Sequence, residues 1–193
     1  MDIEKTNKAC ACIERIFMFH KSEVFRQLDD FLFDDKISVE DQEELVSALD
    51  DIIIFYKFFY NRNYLGIKDL LLCSGYSESD IKKSFNNTDI KPNHTGTVNT
   101  LIIKNRRLSE CIYRIFSRYK IEVLTFIDDV VHDDINDPQY SANTLLDRIS
   151  DLLFFQEFYY NEPMTKEDFF KKNNKPIEYL DVIEEKQSVE VMI

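Results

Sequence analysis

Glycine and proline are scarce in this chain, at 3 and 4 of 193 residues, and tryptophan is absent. So few turn-forming residues argue against a β-rich fold of many tight hairpins and favour long helices joined by few connections. The three glycines, Gly66, Gly75 and Gly96, lie far apart, which excludes a glycine-rich phosphate cradle. Long apolar runs are missing too. The most apolar stretch, Ile52–Tyr60, is interrupted by Lys57 and falls short of the roughly 18 residues a membrane span needs. The first residues lack a basic segment followed by an apolar one, so no secretory signal is expected. Four cysteines (Cys10, Cys12, Cys73 and Cys111) show no disulfide or zinc-knuckle spacing, and the natural reading is a reducing cytoplasm. The sequons at Asn86 and Asn93 are inert there. Positive charge is the last shortage: 24 Lys and Arg face 36 Asp and Glu, a net charge of −12. Such a surface repels nucleic acid and anionic membrane and favours basic partners, although solubility alone is also served by it.

What the chain does have is much of itself twice. Cys12–Asp35 aligns with Cys111–Asp134 at a shift of 99, and twelve of the 24 positions are identical. They are Cys12, Ile13, Arg15, Ile16, Phe17, Lys21, Glu23, Val24, Asp29, Asp30, Asp34 and Asp35. Chance would give about one or two. At a shift of 100 the match continues through Leu45/Leu145, Asp51/Asp151, Phe55/Phe155, Phe58/Phe158, Tyr60/Tyr160 and Asn61/Asn161. A duplicated unit implies that each copy makes the same elements and buries the same faces.

In the first copy Ile13, Ile16, Phe17, His20, Val24, Leu28, Phe31 and Leu32 recur at helical spacing, and Ile112 to Val131 repeat the stripe. The spacing predicts an amphipathic helix of roughly six turns in each copy, closed near Asp34–Asp35 or Asp133–Asp134. A second helix is predicted from an N-cap at Ser38, with Glu40 and Asp41 in its first turn. Its face carries Leu45, Leu49, Ile52, Ile53, Tyr56 and Tyr60. Phe55, Phe58 and Phe59 make its end apolar almost all round, which places it in the middle of the structure. The counterpart runs from near Pro138 to Tyr160. Shorter helices follow at Ile67–Leu72, at Ser77–Phe85 and at Thr165–Lys172, the last two opened by Ser77 with Asp80 and Thr165 with Asp168. The expectation is an all-α chain of two tandem αα-hairpins with accessory helices, packed as a pseudo-twofold bundle. Its parts are a first repeat at 1–85, a polar linker at 86–100 and a second repeat at 101–193, separate or sharing one core.

Chemistry is thinly supported. The repeated carboxylates Asp29, Asp30, Asp34 and Asp35, mirrored by Asp128, Asp129, Asp133 and Asp134, are the sharpest constellation. Pairs four residues apart share a helical face and suit a hard divalent cation, yet the same pattern is what a solvated acidic face looks like. His20 lies on the apolar stripe as a core residue. His94 and His132 form no repeated ligand set. Cys12 and Cys111 read as buried thiols, Cys73 as a lone one without a base. No nucleophile or nucleotide-binding motif is present. The aromatic run from Phe55 to Tyr60 reads as core packing, and exposed members of it would indicate a homodimer or protein interface.

These features point to an acidic, all-helical, cytoplasmic binding protein with no catalytic residue, metal or cofactor. The kind expected is an immunity protein, or antitoxin, that neutralises a basic nuclease-type toxin by occluding its cleft. A viral inhibitor masking a nucleic-acid-binding protein is a close variant. The eight aspartates would form its partner-binding ridge. The alternatives are a metal-dependent all-α hydrolase using the same aspartates and a homodimeric scaffolding module.

Overall fold

The computed structural model describes residues 3–33, 38–85, 101–132 and 137–188. Among these residues the protein is all-α, with eight helices and no strand. The first copy supplies α1 (Ile3–Phe33), α2 (Val39–Phe59), α3 (Ile67–Cys73) and α4 (Glu78–Ser84). The second supplies, in the same order of long and short elements, α5 (Leu101–Val131), α6 (Pro138–Tyr160), α7 (Lys166–Lys172) and α8 (Glu178–Ser188). No helix among the described residues is long and apolar enough to cross a membrane.

Local chemistry accounts for the helix starts. Ser38 accepts a hydrogen bond from the Asp41 N–H at the head of α2. Asp137 accepts one from the Tyr140 N–H before α6, whose first residue is Pro138. Ser77 with Asp80 and Thr165 with Asp168 form reciprocal capping boxes that satisfy two otherwise unpaired N–H groups each. The connections after α2 and α6 turn at Asn61 and Asn161, both in the left-handed region with φ of 52° and 55°. Asparagine tolerates that region better than other side chains do, which fits its presence at both repeat-equivalent positions.

Two expectations need correction. The first helix of each copy is 31 residues long rather than six turns, because each extends further toward its N-terminus than the apolar stripe does. In α1 the added turns hold Ala9, which is buried, and a Glu4–Lys8 pair on the outside, spacings and residue types that a helix accepts readily. Second, the aromatic end of α2 does not lie in the middle of the structure. Phe55 is buried, but Phe58, Phe59 and Tyr60 are each about 40% exposed. Consecutive positions on a helix face different directions, so a run of aromatics cannot all enter one core.

The chain divides into two compact units, one of Met1–Met18 with Phe116–Ile193 and the other of Phe19–Ile115. Each draws on both copies, since the long helices α1 and α5 contribute residues to both. The boundaries at 85 and 101 therefore mark the duplication in the chain. In the first unit α6 packs on α7 and α8, with Leu145, Ile149, Leu152, Phe170 and Ile183 fully enclosed. Lys186 of α8 donates to the Val130 carbonyl at 2.6 Å, placing a cation on the C-terminal turn of α5, where the helix dipole favours it. In the second unit α2 packs on α3 and α3 on α4, enclosing Leu49, Ile52, Leu70 and Leu71. The stripe Ile16, His20, Val24 and Leu28 of α1 is buried along its length, as the four-residue spacing requires.

Candidate functional site

Two carboxylates lie on buried helix faces, Asp51 on α2 and Asp151 on α6. A buried charge is tolerated only when paired and hydrogen-bonded, and each of these is. In the Phe19–Ile115 unit Arg114 binds Asp51 side-on, Nε donating to Oδ2 at 2.9 Å and Nη2 to Oδ1 at 2.5 Å. The Cys111 thiol donates to the Asp51 backbone carbonyl at 3.3 Å. In the other unit Arg15 binds Asp151 through the same atoms, Nε to Oδ2 at 2.8 Å and Nη2 to Oδ1, and Cys12 donates to the Asp151 carbonyl at 3.2 Å. Hydrogen bonding to the carboxylate raises both guanidinium groups above their ordinary range. Burial, reinforced by the Asp151 charge, pushes the Cys12 thiol up to about 12. A thiol held that firmly in its neutral form is a poor nucleophile.

The aspartates expected to carry binding are only partly placed. Asp34, Asp35, Asp133 and Asp134 lie outside the described residues. Asp29 and Asp30 are exposed on α1, while Asp128 and Asp129 on α5 are half-buried. Asp30 takes an exposed ion pair from Arg26 at 3.0 Å. Asp128 is paired with Lys175, whose position in the turn after α7 corresponds to that of Tyr76 after α3 in the first copy. Among the described residues no group of three or more His, Cys, Asp or Glu side chains is arranged to hold a metal ion.

Asp29 is the end of a longer strip within the Phe19–Ile115 unit. It accepts a hydrogen bond from the Tyr76 hydroxyl at 2.7 Å, and the Tyr76 ring stacks on Phe25 with centroids 5.8 Å apart. The Lys21 ammonium lies 5.6 Å over Phe25 and donates to the Tyr56 hydroxyl at 2.8 Å. Tyr56 in turn meets Tyr60 at 5.4 Å and Tyr64 at 5.5 Å. The result is a continuous, half-exposed band from the α1 carboxylates to the aromatic end of α2, a helix end at which Phe58 and Phe59 are also exposed. Burial, then the Asp29 contact, raises the Tyr76 hydroxyl, which stays protonated and donating. The sequence shows the two ends of this band but not Tyr76, which lies 47 residues from Asp29, or Tyr64, which follows the α2 aromatics beyond the helix end. Paired carboxylates and adjacent tyrosines can recognise guanidinium and ammonium groups by charge-assisted bonds and ring-face contacts.

No protein-family model matches the chain, and no curated protein or solved structure matches it significantly.

Proposed function

We propose that this is an acidic, cytoplasmic, non-catalytic binding protein that occludes the cleft of a basic protein, acting as an immunity protein or antitoxin toward a nuclease-type toxin. The observation that carries the reading is the band from Asp30 and Asp29 through Tyr76, Phe25 and Tyr56 to Tyr60. Tyrosine and phenylalanine are enriched at the centres of protein interfaces, and rim carboxylates steer a positively charged partner toward them. The net charge of −12 supplies the long-range part of that attraction. In the second copy Asp128 is held by the half-buried Lys175, whereas Asp30 pairs only with exposed Arg26 and Asp29 with a neutral hydroxyl, which supports a larger share of binding for the first copy.

The test is affinity capture from the native host with the wild-type chain and an Asp29→Lys, Asp30→Lys variant. One basic protein should be recovered at stoichiometric level, its association should slow as salt rises, and the variant should lose it while retaining its melting temperature. Equal recovery by the variant would refute the proposed face. A second reading, self-association through Phe58, Phe59 and Tyr60, is favoured by their exposure. It predicts concentration-dependent sedimentation that Phe58→Ser with Phe59→Ser abolishes.

A further inference from the structure

Lys21 and Lys120 are repeat equivalents with the same residue and different surroundings. In the first copy the Lys21 amine is plugged by Tyr56 and Phe25, bonded to the hydroxyl of the one and seated over the ring of both. The second copy has Gln156 and Leu124 at those two positions. Neither supplies an aromatic face, and Leu124 supplies no polar atom. In place of the plug there is a cavity of about 30 Å³, lined by Lys120 and Phe116 of α5, Gln156 of α6, and Phe169 and Lys172 of α7. All of these lie in the unit of Met1–Met18 with Phe116–Ile193.

The Lys120 ammonium is half-buried there and has no hydrogen-bond or ion-pair partner among the described residues. Burial, and after it repulsion from Lys172, hold it below its ordinary value. An anion seated between the two amines would relieve both effects. Glu162 stands beside the cavity, accepting from the Gln156 Nε2 at 2.8 Å and lying 3.7 Å from the Lys172 amine. Two ammonium groups and one carboxylate leave a single positive charge, which matches a monoanion better than a phosphate dianion. The space holds about two water-sized groups, the bulk of a carboxylate's two oxygens. Phe116 and Phe169 give the remaining walls an apolar character suited to the carbon next to it.

We propose that this cavity is a binding site for a small organic monocarboxylate, whose oxygens bridge the Lys120 and Lys172 amines. The site is electropositive within an acidic protein, and it is separate from the band assigned to partner binding.

Titration of the full chain with acetate, propionate and butyrate, followed by NMR at the lysine ε-methylene groups, tests the assignment. Saturable shifts at Lys120 and Lys172 are expected. Lys120→Met should weaken binding about tenfold or more, as loss of a charge-assisted bond requires. Gln156→Tyr with Leu124→Phe rebuilds the plug of the first copy and should abolish the saturable shifts while the chain stays folded. Linear, unsaturable shifts would overturn the proposal, as would unchanged affinity in Lys120→Met or in the rebuilt-plug variant. Inorganic phosphate binding more tightly than every carboxylate would overturn the ligand class.

Discussion

Replacing Arg114 by methionine strands the Asp51 carboxylate, and the cost follows from how deeply each partner sits. The Asp51 side chain has no exposure, whereas 40% of the Arg114 side chain reaches solvent. Removing the guanidinium leaves a charge that water cannot reach, a change that costs about 3–5 kcal/mol when one partner of a buried pair is deleted. Removing the carboxylate is milder. In Asp51→Asn the guanidinium can turn outward, and the loss is about 1–3 kcal/mol for charge-assisted bonds replaced by neutral ones. Asp151 is 10% and Arg15 60% exposed, so Arg15→Met should fall below Arg114→Met. Thermal unfolding followed by circular dichroism reads the order directly. For a chain of this length 1 kcal/mol moves the midpoint by about 2–4 °C, so Arg114→Met should melt about 10 °C lower. Replacing both partners by leucine should recover much of the loss, because a well-packed apolar pair is often as stable as the ion pair. An Arg114→Met variant within about 1 kcal/mol of wild type, or an Asp51→Asn variant that is worse than it, would refute this assignment of the burial cost.

Cysteine reactivity should divide by burial. In the native protein a thiol reagent should label exposed Cys10 and Cys73 quickly and buried Cys12 and Cys111 only on unfolding, and rapid modification of all four would contradict the core described here. Stability should also fall at alkaline pH. The Cys12 thiol is raised from 9.0 to about 12, so its neutral form stabilises the fold fully below about pH 9, and that contribution is lost as pH climbs toward 12. The slope is about 1.4 kcal/mol per pH unit for one such group, with Tyr76 and Tyr119, also raised, adding to it above pH 10.0. Urea midpoints that stay flat across this window, or that fall equally in Cys12→Ala, would reject the account. At Asn161, with φ of 55°, glycine should be neutral or mildly stabilising and valine should cost about 1–2 kcal/mol, which denaturant titration would resolve.

Helix positions were readable because caps and apolar spacing are local signals. Ser38, Ser77 and Thr165 each begin the helix that their neighbours announce, and Pro138 marks the start of α6, whose cap is Asp137. The helix α8 carries a weak sequence signal, since only Leu180 and Ile183 of its eleven residues are buried. Its position, one hundred residues after α4, was available from the repeat. Asp51 was visible as a repeated residue but not as a buried one. The available clue was its place among Ala48, Ile52 and Phe55 on the inward face of α2, where a carboxylate demands a cation. The band through Tyr76 had no comparable signal, because its contacts join α1, the end of α2 and the turn before α4 at long sequence separation.

The pairing also explains which positions the two copies share. Arg15 of the first copy binds Asp151 of the second, and Arg114 of the second binds Asp51 of the first. Cys12 and Cys111 cross in the same way. A change at either arginine strands a buried carboxylate contributed by the other copy, and a change at either aspartate removes the partner of the other copy's arginine, so neither copy is free to drift there alone. Lys21 and Lys120 face no such constraint, since the residues around each come from its own copy. Tyr56 and Gln156, and likewise Phe25 and Leu124, can therefore differ without disturbing the other copy. Arg15/Arg114, Cys12/Cys111 and Asp51/Asp151 are identical where the copies interlock, whereas Phe25/Leu124 and Tyr56/Gln156 differ where each copy surrounds its own lysine. The cavity at Lys120 follows from that freedom.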